Sequence, residues 1–185
     1  MNDVVKLSVV VPVYNESENV SKLVDEIAVA LAQTDYEMIF VNDASSDDTL
    51  SVLTSLKKDH STLRAISHRK NAGQSRAVRS GIIAAKGQYI ATLDGDGQND
   101  PADIPALIEQ IMRSDAPDNL ALVGGRRAKR QDSWAKKMGS RIGNGVRKNC
   151  STTKPMIQVV VLKFSRERLF YSSPILTTYT VISLR

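Results

Sequence analysis

Asp94 and Asp96 flank Gly95 at the end of the apolar run Tyr89–Leu93 (YIATL). Two carboxylates so spaced can share a hard divalent cation, Mg²⁺ or Mn²⁺, and leave coordination positions open for substrate phosphates. A tight turn whose aspartates cap the next helix is the plain structural alternative for the same residues. A calcium loop of the EF-hand type is excluded. Gln98 stands at its third acidic position, Asn99 replaces its glycine, and Pro105 occupies the twelfth position, where a ligand Glu is required.

Other polar groups also follow apolar runs. Asn15 and Glu16 come after Leu7–Val13 (LSVVVPV), and Asp43 comes after Tyr36–Val41 (YEMIFV). A carboxylate in such a place accepts from a base N–H or a ribose hydroxyl. No G-x-G-x-x-G follows the first run and no G-x-x-x-x-G-K-[ST] occurs, which disfavours dinucleotide redox enzymes and P-loop nucleotidases. A diphosphate bound here would be held by metal and arginine, not by a glycine cradle.

The elements that must position these groups alternate in type. The runs Leu7–Val13, Tyr36–Val41, Leu63–Ser67, Tyr89–Leu93 and Ala121–Val123 have strand length and composition. Between them, Val20, Leu23, Val24, Ile27 and Leu31 recur at helical spacing behind a capping Ser17. Helices are also predicted over Thr49–Lys58, over Ser75–Ala85, and after Pro101, with Ile104, Leu107, Ile108, Ile111 and Met112 on one face. Alternating strands and helices predict an α/β fold with a mainly parallel sheet covered on both faces. Ligands of such sheets bind beyond the carboxyl ends of the strands, where all the polar clusters named above fall.

Composition sets outer bounds. The 185 residues suit one domain, and no run approaches 18 apolar residues. The N-terminus lacks a basic n-region, so no secretory leader is expected. Cys150 is the single cysteine, which excludes an internal disulfide framework and a cysteine-based zinc site and points to the cytosol. The net charge of +5 is unevenly spread. Residues 1–125 carry 11 basic and 18 acidic side chains, residues 126–148 carry nine and one, and residues 149–185 carry five and one. The basic 126–148 segment, with Trp134, Met138, Ile142 and Val146 four residues apart, reads as an amphipathic helix. It suits the phosphates of a nucleotide, a nucleic acid or lipid headgroups, or plain solvent.

The segments VVVPVYNE, VNDAS, NAGQSRAVRSGIIAAKG, DGDGQNDP and GGRR, in this order and spacing, resemble the family 2 glycosyltransferases of GT-A fold over residues 6–148. Within that family the DGDGQNDP segment and the basic stretch after it are most similar to the polyprenyl-phosphate, dolichol-phosphate mannose synthase-like branch. The resemblance implies that Pro12, Tyr14, Glu16 and Asp43 hold the nucleoside of a nucleotide-sugar donor. It implies that Asp94 and Asp96 bridge ribose, diphosphate and metal with Gln98 as a further ligand, and that Arg126 or Arg127 neutralises phosphate. One departure stands out: VNDAS replaces the commoner VDDGS, which leaves Asp43 to carry the base contact alone.

Several residues keep two readings. Asn71 and Gly73 either shape a turn or line the donor site, and Arg76 either meets phosphate or faces solvent. His60 and His68 read as surface or strand-end residues, and Trp134 as packing. The family inverts configuration by in-line attack. A polyprenyl phosphate, with a second pKa near 6, is largely ionised at neutrality and needs no strong base. A sugar hydroxyl needs one, and residues 1–148 offer no clear candidate.

Residues 149–185 depart from the family pattern. Read with the third base of each codon joined to the first two of the next, Met156-Ile157 forces Asp and Phe170-Tyr171 forces Leu, and permissible codons turn Lys154–Lys163 into TDDTGCGLK, the family's acceptor-side motif. One nucleotide lost near Lys148-Asn149 accounts for this. The expected organisation is a donor-binding domain over 1–148 and an aberrant tail over 149–185, truncated or disordered. The expected partners are a nucleotide sugar, a polyprenyl phosphate and peripheral contact with lipid at the cytoplasmic face of a membrane, with no nucleic acid. A saccharide acceptor and an inactive nucleotide-binding fragment are the alternatives.

Overall fold

The computed structural model describes residues 6–114 in full and, beyond them, the backbone of three strands at 122–126, 157–163 and 181–184. Seven strands form one sheet in the order β3-β2-β1-β4-β6-β5-β7. They are β1 (Leu7–Val13), β2 (Tyr36–Asn42), β3 (Leu63–Ser67), β4 (Tyr89–Thr92), β5 (Leu122–Arg126), β6 (Ile157–Lys163) and β7 (Val181–Leu184). The pairs β1–β2, β2–β3, β1–β4 and β5–β7 are parallel, and β6 runs antiparallel between β4 and β5.

Four helices connect and cover the strands: α1 (Val20–Ala30), α2 (Thr49–Leu56), α3 (Gln74–Ala84) and α4 (Asp103–Met112). Both faces of β1 and β2 are buried, as expected of parallel strands covered twice. On one face Val9, Val11, Met38 and Phe40 pack with Leu23 and Ile27 of α1, Leu53 of α2 and Ile104 and Leu107 of α4. On the other, Val10, Ile39, Val41 and Ile90 form a smaller core with Ala77 of α3. Gly81 brings α3 close there, since a Cβ at this position would lie 2.3 Å from Val10 Cγ1.

The elements follow the apolar periodicity with local corrections. Ser17 does not cap α1; Asn19 is the N-cap, and the Ser17 amide donates to Asp47. Helix α2 ends at Leu56, two residues before the predicted end. Met112 is 44% exposed, off the buried face it was assigned to, because Ile111 takes the last inward position of α4. Strands β6 and β7 come from the stretch 149–185, where the sequence predicts no element. The amphipathic helix expected over 126–148 and Trp134 lie outside the described residues.

At the amino-terminal end of the sheet a polar knot fastens α3. Glu37, 5% exposed, accepts from Ser8 Oγ and the Lys86 amide, each at 2.7 Å, and pairs with Arg64. Arg64 also donates to the Ala84 carbonyl at the end of α3, and the Gly87 amide donates to Ser8 Oγ. Burial alone would raise the Glu37 carboxyl. The bonds from Ser8, Arg64 and Lys86 outweigh that and hold it below the ordinary range.

Candidate active site

Strands β1, β2, β3 and β4 are parallel, so the segments leaving them share one edge of the sheet. Side chains link those segments in series. The Asn15 amide donates to Ser45 Oγ, and the Ser46 amide returns to Asn15 Oδ1. The Glu16 amide donates to Thr49 Oγ1, and Glu16 accepts from Asn19 Nδ2. Asp47 accepts from the Thr49 hydroxyl and amide and from the Ser17 amide, which together hold its carboxyl at about 2.

Asn15 and Ala44 hold the left-handed conformation, at φ 56° and 59°. Asn tolerates it, whereas Ala does so only against its own preference. Beside Ala44, the buried Asn42 accepts from the amide and hydroxyl of Ser45 and donates Nδ2 to Ser67 Oγ. A carboxylate at 42 could only accept from the Ser67 hydroxyl, whereas the amide of VNDAS donates to it.

Asp43 is 3% exposed. Its Oδ1 meets His68 Nδ1 at 2.6 Å, and both oxygens accept from the Ala72 and Gly73 amides. Burial pushes its carboxyl up, but these bonds prevail and keep it below the usual range. His68 Nε2 lies 2.9 Å from Ser80 Oγ on α3. His68 directly follows β3, as a strand-end residue should, but the expectation that no carboxylate lies near it is corrected: it bridges the buried Asp43 and helix α3. His60 likewise approaches Asp25, at 3.3 Å.

The 94–96 turn lies against β1. A Cβ on Gly95 would sit 2.6 Å from Val13 Cγ1 and 2.8 Å from the Pro12 carbonyl, so the glycine is required by close approach. Asp94 is half-buried, and its Oδ1 accepts from Gln74 Nε2 at 2.6 Å. Burial first, and the charge of Asp96 second, push its carboxyl above the ordinary range despite bonds from Asn99 and Gln74. Asp96 is exposed and accepts from the Gln98 amide.

These residues fit a divalent cation that completes its shell with substrate oxygens. Two like charges held together are relieved by a cation, and among the described residues no group of three or more His, Cys, Asp or Glu forms a closed cage. Gln98 is exposed on the same turn.

The remaining sequence candidates fall around this edge. Pro12 is buried in β1, while Tyr14 beyond it is 48% exposed. Gly73, at φ 88°, is the N-cap of α3; Asn71 is exposed before it and Arg76 on the first turn. Thr92 and Gly124 both pair with Val160, so Asp94 and Arg126 each lie two residues beyond the same level of the sheet. Arg127 lies outside the described residues. Sequence reasoning missed Gln74, His68 and Asn99. Gln74 carried a signal, standing first in its helix after Gly73.

The comparisons with known proteins follow the same lines. The model for "Glycosyl transferase family 2" matches residues 8–172, past Lys148 into the tail. An undecaprenyl-phosphate 4-deoxy-4-formamido-L-arabinose transferase from Sodalis glossinidius is 39% identical over 144 residues, covering 76% of this chain and 43% of that protein. A dodecaprenyl-phosphate galacturonate synthase from Rhizobium johnstonii is 36% identical over 142 residues, covering 75% and 41%. The chain thus spans less than half the length of these relatives.

Among solved structures, a mannosyltransferase from Pyrobaculum calidifontis in complex with GDP-Man and Mn²⁺ superposes with a TM-score of 0.64 at 21% identity, covering 89% of this chain and 46% of that one. Glucosyl-3-phosphoglycerate synthase from Mycobacterium tuberculosis, in complex with UDP, gives 0.58 at 18%, covering 85% and 57%. That likeness shows the GT-A fold. With the family match covering most of its length, the chain belongs to glycosyl transferase family 2.

Proposed function

We propose that this edge binds a nucleotide sugar and a divalent cation, Mg²⁺ or Mn²⁺, and that the protein transfers the sugar to a polyprenyl phosphate with inversion. The observation that carries the donor site is the Asp94–Asp96 turn, packed through Gly95 against Pro12 and Val13, with half-buried Asp94 beside the like charge of exposed Asp96. The acceptor rests on the relatives, whose names are those of enzymes using undecaprenyl or dodecaprenyl phosphate.

Each residue then has a task. The exposed Tyr14 ring flanks the base, and Asp43 fixes the 72–73 backbone beside it. Gln74 orients Asp94, and Asp94 and Asp96, joined by Gln98, hold the cation. A bound cation offsets the charge that bond breaking leaves on the diphosphate. Arg76, Arg126 and Arg127 add positive charge around the phosphates. The acceptor phosphate oxygen attacks the anomeric carbon as the bond to the β-phosphate oxygen breaks, and the electron pair leaves with the nucleoside diphosphate. The ionised acceptor has no proton to lose, so no general base is needed. A polyprenyl acceptor also places the work at a membrane surface, on the cytoplasmic side where nucleotide sugars are found. Among the described residues no helix is long and apolar enough to cross a membrane.

The test is transfer of labelled sugar from nucleotide sugars to detergent-dispersed undecaprenyl phosphate, with and without Mn²⁺. Label entering the lipid phase supports the proposal. Label passing only to saccharides replaces it with the saccharide-acceptor reading, and nucleotide binding without turnover replaces it with the inactive one. In Asp96→Ala, cation-dependent nucleotide binding should disappear; unchanged affinity removes the triplet from the site.

We also infer that residues 149–185 are read out of frame. Resequencing the gene through the codons for Lys148 and Asn149 decides this. One extra A restores the DTGCG stretch, and confirmation of the printed bases ends the inference.

A further inference from the structure

The charge on residues 1–125 is sorted by position in the fold. Residues 60–93, from the approach to β3 through α3 to β4, hold six Lys and Arg and no acidic residue. Residues 1–59 hold four basic and 11 acidic, and residues 94–125 one and seven. Helix α3 covers one face of the sheet, while α1, α2 and α4 pack on the other. Among the described residues, the α3 face is therefore the more cationic of the two.

The outward side of α3 carries the pattern further. Arg76, Arg79 and Ile83 are exposed at helical spacing, and the exposed Lys86 follows on the same period. Arg69 and Lys70 are exposed in the segment that enters the helix. None of these five cations pairs with an acidic group among the described residues, whereas Arg64, on the inner side, is spent on Glu37. In the middle of the stripe stands Ile83, 58% exposed. A bare aliphatic side chain ringed by unpaired cations suits an anionic lipid surface. The charges meet headgroups there and the isoleucine enters the interface, whereas a nucleic acid backbone gains nothing from it.

We propose that the α3 face, through Arg79, Ile83 and Lys86 with Arg69 and Lys70 toward its amino-terminal end, docks on anionic phospholipid. Lying on that face, α3 points its amino-terminal end, and with it Gln74 and Asp94, along the membrane surface. The docking goes beyond the transferase reading and needs no turnover, so failure of either leaves the other standing.

The test is flotation of the whole chain with vesicles of phosphatidylcholine alone or with about one-third phosphatidylglycerol, at about 0.1 M and about 0.5 M salt. Binding is expected with phosphatidylglycerol only, and it should fall away at high salt. Each basic residue at such a surface strengthens binding by about fivefold. Arg79→Glu with Lys86→Glu should therefore weaken binding more than about tenfold, and Ile83→Ser alone by about fivefold. Lys57→Glu with Lys58→Glu, at the end of α2 beyond the opposite core, should change it less than about twofold. Wild-type binding by the α3 variants overturns the proposal, and so does an equal loss in the α2 control, which leaves only net charge. Displacement from the vesicles by a short DNA duplex that binds more tightly through the same residues also overturns it, in favour of nucleic acid. If the double variant melts early, Ile83→Ser carries the test.

Discussion

Gln74 Nε2 donates to Asp94 Oδ1 over 2.6 Å, joining the first residue of α3 to the first carboxylate of the 94–96 turn. The bond holds one oxygen of Asp94 in place, and in the proposed function it orients the carboxylate toward the cation. Gln74→Leu removes the donor while keeping the bulk. Cation-dependent binding of a nucleoside diphosphate should weaken by about tenfold, the scale of a hydrogen bond to a charged group at a partly wet site. Thermal stability should stay level because Gln74 is exposed. Titration calorimetry with Mn²⁺ present reads the first, and a melting curve the second.

Ala44 holds φ 59° between Asp43 and Ser45. A left-handed residue with a Cβ costs about 1–2 kcal/mol, and a glycine gives back part of the gain as unfolded-chain entropy. Ala44→Gly should therefore stabilise the protein by about 0.5–1 kcal/mol, measured by urea unfolding. Destabilisation would show that the Ala44 methyl makes a contact worth more than the strain.

Gly95→Ala should do the reverse. The added carbon has no room between Val13 and the Pro12 carbonyl, so the turn must move away from β1. A loss of about 1–3 kcal/mol is expected from overpacking. Nucleotide binding should fall with it, since Asp94 and Asp96 move too. Unfolding and calorimetry on the same sample separate the two losses.

Stability should depend on acid. Glu37 and Asp43 have folded carboxyls held below their ordinary 4.5 and 3.8, so both bind protons more tightly when unfolded. Their contribution is complete above those ordinary values and is lost as pH falls through the lower folded ones. Urea midpoints measured from pH 7 down to about pH 3 should decline below about pH 4.5, and less steeply in Glu37→Gln. Glu37→Ala, which strands a half-buried Arg64, should cost about 3 kcal/mol at pH 7.

How far these features were legible depended on the range of the interaction that fixes them. Strands β1 and β3 match their predicted limits, because short apolar, β-branched runs are local properties. The order of polar clusters along one edge also follows from alternation of strand and helix. What joins the clusters was not legible. His68 meets Asp43 only because β2 and β3 pair in a register that sets Asn42 against Ser67, one residue before each. Met112 carried the right spacing, but α4 ends there and Ile111 takes its last inward position. The placement of β6 between β4 and β5 depends on partners far along the chain, which no local pattern names.

The two ends of α3 are held by unlike means: Gln74 on Asp94 at one, and the Ala84 carbonyl on Arg64, beside Glu37, at the other. A helix anchored at both ends transmits the loss of either anchor along its length. Whatever slows opening of the first turn must also slow exchange of the Lys86 amide, and cutting the Glu37 knot must in turn raise the cost of ordering the site. If the edge binds the proposed donor, its affinity should depend on Glu37 at the far end of the sheet, and hydrogen exchange at the Lys86 amide should slow when the site is filled.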